Sequence, residues 1–317
     1  MAQQKENAMT SNESLVKHMW ETKAITQPLV RSAFLKVDRG QYVPVASCAT
    51  SSSAYEDIPL FLSDQSKISH PSIHARAAEA LLPYLLPVGG EEGGRKEGEG
   101  KDDSGKGTCG ASRETTAIGV KGRPRRILDI GSGSGFLVHL FAEIAGVATD
   151  DGAGAMVVGL EHVKRLRLLG ESNMCKTAGG AELLASGRVL FCLGDGRKGF
   201  RLPFFSNASS LHQQQQQESP PSAEGIGGED RGTDEGLWDV IHVGAAAITL
   251  HDDLLRQLRR PGRLFIPLHE EGVWSSDVWI WTVDKDAEGR ITKTRHFEAP
   301  FVALMDPPKI RSGGEGL

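Results

Sequence analysis

The chain contains Ile127-Leu128-Asp129-Ile130-Gly131-Ser132-Gly133-Ser134-Gly135, an apolar run that passes through one acid into three alternating glycines. Glycine has no Cβ, so it adopts a positive φ readily and lets a ligand approach the backbone closely. The residues that follow, 136–145, are apolar at helical spacing, and the free N–H groups at the start of such a helix face the same ligand. The stretch therefore predicts a strand, a ligand-binding loop and a helix in succession.

The spacing of these glycines distinguishes between two classes of nucleotide cofactor. A dinucleotide loop prefers G-x-G-x-x-G directly after the strand, whereas this chain has G-x-G-x-G, with Asp129 two residues before Gly131. A carboxylate at that point would repel a pyrophosphate, so the pattern disfavours a nicotinamide oxidoreductase. It favours a positively charged cofactor such as S-adenosylmethionine, whose sulfonium and amino groups are cationic.

A second apolar run, residues 156–160, ends in Glu161-His162. A carboxylate at the tip of a second strand can accept hydrogen bonds from both hydroxyls of a ribose. The separation from Asp129 exceeds the roughly 20 residues typical of a nucleotide fold, and we assign the excess to a loop insertion at 148–154. Glu161 is therefore the predicted ribose anchor.

Size and composition narrow the class of protein. With 317 residues, of which 39% are hydrophobic, the chain is long enough for a real core. The net charge of −5 gives no general attraction to nucleic acid or to an anionic membrane, and the one dense basic run, 121–126, is interpreted as the entry to a strand. The four cysteines include no C-x-x-C pair, so we predict neither a metal site nor a disulfide framework. The sequence predicts neither a secretory leader nor a membrane span. We also expect a monomeric protein in the cytoplasm.

Two low-complexity segments, 88–121 and 206–236, are predicted to be disordered insertions. The remainder alternates between strands and helices, which favours a parallel α/β sheet. Predicted strands lie at 126–130, 156–160, 188–193, 238–243, 262–268 and 278–283, with an antiparallel addition within 291–304. Predicted helices lie at 136–145, 163–176 and 250–259, and Pro261-Gly262 is predicted to end the last one.

These elements give a sheet domain at 122–305, preceded by a mostly helical region at 12–86 with an irregular middle at 47–66. Ligands of an open α/β sheet lie beyond the carboxyl ends of its strands. Asp129, Glu161, Asp195 and the His242-Val243-Gly244 turn all fall at such ends. His242 itself, with apolar neighbours on both sides, is predicted to be a core or sheet-edge histidine.

Several motifs together resemble the protein-L-isoaspartate (D-aspartate) O-methyltransferases, over nearly all of the ordered part. The glycine loop is similar to the first methyltransferase motif of that family, and Gly194-Asp195-Gly196-Arg197-Lys198-Gly199 is similar to its G-D-G-R-x-G loop. Residues 238–247, WDVIHVGAAA, resemble its fourth strand, and residues 261–267 the strand after it. The most specific match is Lys67-Ile68-Ser69-His70-Pro71-Ser72-Ile73-His74-Ala75, which is similar to the I-S-x-P-x-x-x-A segment of the family.

The resemblance implies a Rossmann-like class I S-adenosylmethionine-dependent methyltransferase sheet and a set of site residues. Ser69 corresponds to the active-site serine. The implied cofactor-binding residues are Ile68, His74, Asp129, Gly131, Ser132, Gly133, Ser134, Glu161, His162, Asp195 and Gly196. The departures from the family pattern lie at the substrate end: His70, Ser72 and Met305 differ from the residues expected at those positions.

The implied activity is transfer of a methyl group from S-adenosylmethionine to the free α-carboxylate of L-isoaspartyl, and also D-aspartyl, residues in damaged proteins. The methyl ester would then close to a succinimide, which reopens partly to normal aspartate. Two other readings stay open at this point. One is a methyltransferase of the same fold with another substrate, and the other is a non-catalytic adaptor that binds S-adenosylmethionine and damaged proteins.

Overall fold

A seven-stranded sheet forms the centre of the protein. The computed structural model describes residues 9–48, 50, 53–64, 66–87, 115–119, 123–146, 155–201, 237–270 and 277–304. Within these residues the chain runs through α1 (Asn12–Glu21), α2 (Pro28–Lys36), β1 (Leu60–Ser63), β2 (Ser66–Ile68), α3 (Pro71–Leu85), β3 (Arg126–Ile130), α4 (Phe136–Gly146), β4 (Met156–Glu161), α5 (Lys164–Met174), α6 (Ala178–Ala185), β5 (Val189–Leu193), β6 (Trp238–Val243), α7 (Asp252–Gln257), β7 (Leu258–Leu268), β8 (Asp277–Lys285) and β9 (Ile291–Pro300).

The large sheet has the order β5-β4-β3-β6-β7-β8-β9. Strands β3 to β7 all run parallel to one another, whereas β8 pairs antiparallel with both β7 and β9. The predicted Rossmann-like α/β sheet, including its antiparallel final strand, is thus confirmed. The chain leaves β3 toward β4 on one side and returns as β6 on the other, and the crevice at such a reversal of strand order is where open α/β sheets bind ligands.

The sheet is covered on both faces. Apolar side chains of α1, α2, α3 and α4 form one core cluster with residues of the sheet such as Val240 and Phe265. A second cluster holds Leu128, Ile241 and Leu264 with Leu254 of α7. Because both faces are covered, the central strands are mostly apolar and buried, as in β6, where all six residues are buried and the two polar ones, Asp239 and His242, have partners on other elements.

The basic run before β3 contributes to a buried ion-pair cluster at the amino ends of the strands. Asp239 is fully buried, and its carboxylate accepts from Arg123 at 2.9 Å and Arg259 at 2.6 Å. It also accepts from the backbone N–H of Arg126 at 2.8 Å. The interpretation of this run as the entry to a strand is confirmed for its described residues.

The amino-terminal region departs from its prediction in one respect. Residues 12–86 contain the three helices α1, α2 and α3, but β1 and β2 form an antiparallel hairpin inside them. The hairpin pairs Leu60 with Ile68 and Phe61 with Lys67. Its strands have only four and three residues, too few to show a clear alternation in the sequence.

The prediction of a helix at 250–259 was wrong at its end. The helix stops at Gln257, and β7 begins at Leu258, so Pro261 lies inside a strand rather than after a helix. Two contacts explain the early end: Arg259 is drawn to the buried Asp239, and Lys285 donates to the carbonyls of Leu255 and Leu258, both at 2.9 Å.

The segment predicted as a disordered insertion at 88–121 also ends earlier than expected. Residues 115–119 are described, and the N–H of Ile118 donates to the carbonyl of Pro83 at 2.7 Å while Arg125 donates to the carbonyl of Ile118 at 2.7 Å. The rest of that segment, the second one at 206–236, and Met305 lie outside the described residues. The helix α6, which the sequence did not predict, completes the connection to β5.

Candidate functional site

A cavity of about 270 Å³ opens at the carboxyl ends of β3, β4 and β6. Of the twelve predicted site residues, eleven line it: Ile68, Ser69, His74, Asp129, Gly131, Ser132, Gly133, Ser134, Glu161, His162 and Gly196. The strand order brings these residues together from positions almost 130 apart in the chain. Their roles remain predictions, but the sequence located them in one place.

The glycine loop is held by backbone hydrogen bonds to the neighbouring strands. The N–H of Gly131 donates to the carbonyl of Leu160 at 2.8 Å, and the N–H of Gly244 donates to the carbonyl of Ile130 at 2.8 Å. Glycine is required at 135, where φ is +81° and a Cβ would lie 2.8 Å from the carbonyl oxygen of Gly170 on α5. Helix α5 therefore packs directly against the loop.

Glu161, the predicted ribose anchor, is buried at the tip of β4. Its Oε2 accepts from the N–H of Gly133 at 3.0 Å, and its Oε1 accepts from the N–H groups of His162 and Val163 at 2.8 and 3.1 Å. Burial works to raise the pKa of this carboxyl, but the His162 side chain and these backbone donors outweigh burial and hold the pKa below its usual value. The side chain is therefore a fixed carboxylate, and Oε2 keeps more capacity to accept a ligand hydroxyl than Oε1.

Asp129 lies at the end of β3, opposite His242 on β6. Both side chains are buried, and His242 Nδ1 lies 2.7 Å from Asp129 Oδ1. The prediction of His242 as a buried, hydrogen-bonded histidine is confirmed. His242 also lines the cavity, at the strand end where the sequence placed it, but the sequence did not indicate its pairing with Asp129, which is distant in the chain.

Asp195 is the one predicted site residue that does not line the cavity. Its carboxylate accepts from Arg197 three times, from the backbone N–H at 3.0 Å, Nε at 2.9 Å and Nη2 at 2.8 Å. The hydrogen bond from the Arg197 side chain holds the pKa of Asp195 below its ordinary value. Gly194 and Gly196, on either side of it, do line the cavity, so the loop is at the site although this side chain faces Arg197.

Ser69 lies between β2 and α3 and is half-buried on the cavity wall. Asp57 fixes this segment, since its Oδ1 accepts from the N–H of Ser72 at 2.9 Å at the start of α3. Within the part of the chain that the structure describes, the Ser69 hydroxyl has no hydrogen-bond partner. Its donor proton is therefore available to a ligand in the cavity.

His74, one turn into α3, is buried against the ring of Phe136 at 5.3 Å between ring centroids. The pKa of His74 lies well below its ordinary value, first because of burial and then because of the nearby positive charges of Arg39, His242 and His70. We therefore treat His74 as a neutral imidazole. Its Nδ1 is buried without a hydrogen-bond partner among the described residues.

The cavity has two walls of different build. We name them after the roles that the sequence predicts: residues 129–135 and 161 are the cofactor wall, and the hairpin β1–β2, Ser69 and residues 301–304 are the substrate wall. The second wall is completed by a short parallel bridge, in which the N–H of Ala246 donates to the carbonyl of Val302 at 2.8 Å and the N–H of Leu304 donates to the carbonyl of Ala246 at 2.7 Å. Of this wall, the sequence assigned only Ile68 and Ser69 to the site, and it missed the lining residues of the hairpin and of 301–304.

The cofactor wall fits the group that the sequence implies. Ser132 Oγ, like His74 Nδ1, is a buried polar atom on the cavity without a partner among the described residues. Asp129 and Glu161 supply two buried carboxylates, which suit a cationic ligand that also carries hydroxyl groups.

Within the described residues there is no cluster of three or more metal-ligating side chains, and no helix is both long and apolar enough to cross a membrane.

Comparisons with known proteins agree with this site. A sequence profile of the family described as protein-L-isoaspartate(D-aspartate) O-methyltransferase matches residues 10–89, 120–204 and 227–309. A relative from Triticum aestivum, named protein-L-isoaspartate O-methyltransferase, is 25% identical over 94% of this chain and 93% of its own length. A second, from Arabidopsis thaliana and named protein-L-isoaspartate O-methyltransferase 2, is 27% identical over 92% of this chain and 66% of its own length.

Among solved structures, a Plasmodium falciparum chain that carries the same enzyme name, in complex with S-adenosyl-L-homocysteine, superimposes with a TM-score of 0.61 and 23% identity. The similarity covers 93% of this chain and 98% of that one, and at this identity it shows the fold. The profile match covers well over half of the chain and includes the glycine loop, Glu161 and Ser69. The chain therefore belongs to the protein-L-isoaspartate (D-aspartate) O-methyltransferase family.

Proposed function

We propose that this protein transfers the methyl group of S-adenosylmethionine to the free α-carboxylate of L-isoaspartyl residues, and of D-aspartyl residues, in damaged peptides and proteins. Ser69 carries the proposal, because its half-buried hydroxyl lies on the same cavity as the buried carboxylates of Glu161 and Asp129. A methyl donor bound on the cofactor wall and a carboxylate bound at Ser69 would share one small space.

The cofactor supplies, when bound, a methyl group activated by its attachment to a positively charged sulfur. On this chain Glu161 would hold the ribose, Asp129 the cationic part, and the loop from Gly131 to Ser134 the remainder. Family membership supports this assignment, as does the chemistry of the cofactor wall.

The chain itself needs to supply orientation more than acid–base chemistry. An α-carboxylate is already ionised at neutral pH, so it requires no general base, and the neutral His74 is not needed as one. Ser69 would donate a hydrogen bond that aims the carboxylate. Correct alignment of reacting groups contributes about 7 to 11 kcal/mol in well-oriented systems. A neutral hydroxyl also blunts the nucleophile less than a lysine or arginine in direct contact would.

The proposed biological outcome is repair. The carbonyl of the methyl ester is a better electrophile than an ionised carboxylate, so the backbone nitrogen of the following residue attacks it, methanol leaves and a succinimide closes. Water then reopens the succinimide partly to normal aspartate. We further propose a monomeric protein in the cytoplasm. No two of the cysteines that the structure describes, Cys48, Cys175 and Cys192, form a disulfide with each other, in keeping with a reducing compartment.

The first experiment is transfer of a labelled methyl group from S-adenosylmethionine to two peptides that differ only in isoaspartate or aspartate at one position. We expect label on the isoaspartyl peptide alone. Equal labelling of both peptides would contradict the substrate assignment. Binding of S-adenosylmethionine without labelling of either peptide would favour the adaptor reading or another substrate.

A further inference from the structure

Asp129 and His242 form a buried hydrogen-bonded pair on the wall of the cavity. The two residues lie directly opposite each other on the neighbouring strands β3 and β6. Asp129 Oδ1 is 2.7 Å from His242 Nδ1, and both residues line the cavity. Within the described part of the chain, the hydrogen bond to Oδ1 is the one that this carboxylate makes, which leaves Oδ2 without a protein partner.

The ring of His242 is held so that it cannot turn away from Asp129. It stacks on Phe265 with ring centroids 5.4 Å apart and planes inclined by 23°, and it meets the edge of Phe141 at 5.8 Å. These aromatic neighbours come from β7 and α4, on different elements from the pair itself. Offset stacking and edge contacts of this kind fix ring orientation as well as add packing energy.

Burial and His242 have opposite effects on the pKa of Asp129. A buried carboxylate tends to take up a proton, and burial, with a further contribution from the negative charge of Glu161, raises the pKa of Asp129. The hydrogen bond and charge of His242 act in the opposite direction. On the other side of His242 the titratable group is His74, whose depressed pKa leaves it neutral. The remaining charged neighbour, Glu161, is itself satisfied by His162 and by backbone donors.

We propose that His242 is a positioning residue for the cofactor: by donating Nδ1–H to Oδ1 it keeps Asp129 ionised and leaves Oδ2 for the cationic end of the ligand. The inference rests on the proposed function in taking S-adenosylmethionine as the ligand. His242 is not a catalytic residue in this scheme, because it acts only through Asp129. The register between β3 and β6 determines this contact, since a one-residue shift of β6 would move the His242 donor away from Asp129.

The test is the dissociation constant of S-adenosylhomocysteine, which keeps the cationic ammonium group, measured by calorimetry between pH 5.5 and 8. His242→Phe keeps an aromatic ring between Phe265 and Phe141 but cannot donate. A hydrogen bond to a charged group contributes about 1.5 to 3 kcal/mol, so we expect binding at pH 7 to weaken roughly 10-fold to 100-fold. Without the donor the pKa of Asp129 rises further, so the loss of affinity on acidification should begin at a higher pH than in the wild type.

Two further variants separate positioning from packing. His242→Asn retains an N–H donor at about the place of Nδ1, and it should recover a large part of the affinity and return the pH profile toward wild type. Val240→Ala removes packing from the same strand two residues earlier, on a residue that is buried but does not line the cavity. It should lower the melting temperature and leave both the dissociation constant and the pH profile unchanged.

The inference is overturned if His242→Phe folds and binds with the wild-type dissociation constant at every pH, because His242 would then be a packing residue alone. Should His242→Phe fail to fold, the decision falls to His242→Asn: wild-type-like binding and pH profile support the inference, whereas binding lost as completely as in Asp129→Asn contradicts it. Failure of the wild-type protein to bind S-adenosylhomocysteine would be a different result, since it would contradict the cofactor assignment on which the proposed function depends.

Discussion

The two walls of the cavity are built in opposite ways. On the cofactor wall Asp129, Ser134 and Glu161 are 2%, 4% and 3% exposed, and the backbone of the loop is bonded to β4. On the substrate wall the lining residue Val302 is 37% exposed, and Phe61, next to the lining residue Leu62 in the hairpin, is 54% exposed. Under the proposed function, the cofactor wall would be preformed for one ligand, whereas the substrate wall would offer an exposed apolar rim to peptides of varied sequence. A protein that must recognise one cofactor and many damaged chains needs this asymmetry.

The largest effect should come from Gly135→Ala, which attacks the cofactor wall where it meets α5. The residue would have to hold a φ of +81° with its Cβ 2.8 Å from the carbonyl oxygen of Gly170. We expect a loss of about 2 to 4 kcal/mol in the free energy of unfolding, measured by denaturant titration, because left-handed backbone strain adds to a backbone clash.

Gly179→Ala on α6 is the matched control, since a Cβ there would meet Glu143 Oε1 only at 4.0 Å. It should stabilise the protein by up to about 1 kcal/mol, because alanine is the better helix former. Equal destabilisation by both variants would mean that the close approach of α5 to the loop is not what makes Gly135 necessary.

Ser69→Ala tests the substrate wall at its chemical centre. The loss of one precisely placed hydrogen-bond donor in an active site costs about 10²-fold to 10³-fold in turnover, and we expect kcat for an isoaspartyl peptide to fall by about the lower value. The dissociation constant of S-adenosylhomocysteine should stay at the wild-type value. Ser66→Ala, on the same cavity but three residues earlier at the start of β2, should keep kcat within a few-fold of wild type. Wild-type kcat in Ser69→Ala would remove the serine from the mechanism.

The same contrast explains what the sequence could predict. The cofactor wall is local: a strand, Asp129 and three glycines follow one another, and both their secondary structure and their meeting with Glu161 follow from the α/β pattern. The substrate wall is assembled from distant pieces, such as Lys67 on a three-residue strand and Val302 bonded to Ala246. No period of 2 or 3.6 extends far enough in these pieces to be read.

Two other differences arise from tertiary contacts that override a local pattern. Leu258 and Arg259 continue the helical spacing of α7, but the buried Asp239 draws Arg259 into a strand. Asp195 follows a glycine as a ligand residue would, but Arg197, two residues later, takes its carboxylate. A sequence shows the carboxylate in each case and cannot show which of several cations it will pair with.

Glu161→Gln tests the charge and the hydrogen-bond acceptors of the cofactor wall without changing the size of the side chain. The amide keeps the size of the side chain but cannot accept from the N–H groups of Gly133, His162 and Val163 with both of its ends. We expect S-adenosylhomocysteine to bind about tenfold more weakly, as hydrogen bonds to a charged group contribute about 1.5 to 3 kcal/mol. Glu171→Gln, on α5, is the control: its partly buried carboxylate pairs with Arg167 and does not line the cavity, so this variant should bind as the wild type does.

The pH dependence has a definite sign for Glu161. Its folded-state pKa is depressed, so it stays ionised throughout the neutral range. The stabilising effect of the ionised group is present above the ordinary carboxyl pKa and is lost as the pH falls through the lower folded value. A loss of wild-type stability with acid that Glu161→Gln does not share would support this assignment, and identical acid profiles would contradict it.

The smallest effect should come from Lys67, which lines the mouth of the cavity two residues before Ser69 with its Nζ 4.5 Å from the ring centroid of Phe61. Because Lys67 is exposed, its attraction for the negatively charged substrate is screened and should be worth about 0.2 to 1 kcal/mol. Lys67→Gln should therefore raise KM for the isoaspartyl peptide about twofold to fivefold at low salt, leave kcat unchanged, and lose its difference from wild type as salt is added.

Lys67→Arg keeps the charge and should behave as the wild type, while Lys17→Gln, on the exposed face of α1, controls for the change in net charge. A KM for Lys67→Gln that matches wild type at every salt concentration would show that the substrate wall selects its peptides by shape and by Ser69, without help from charge at its rim.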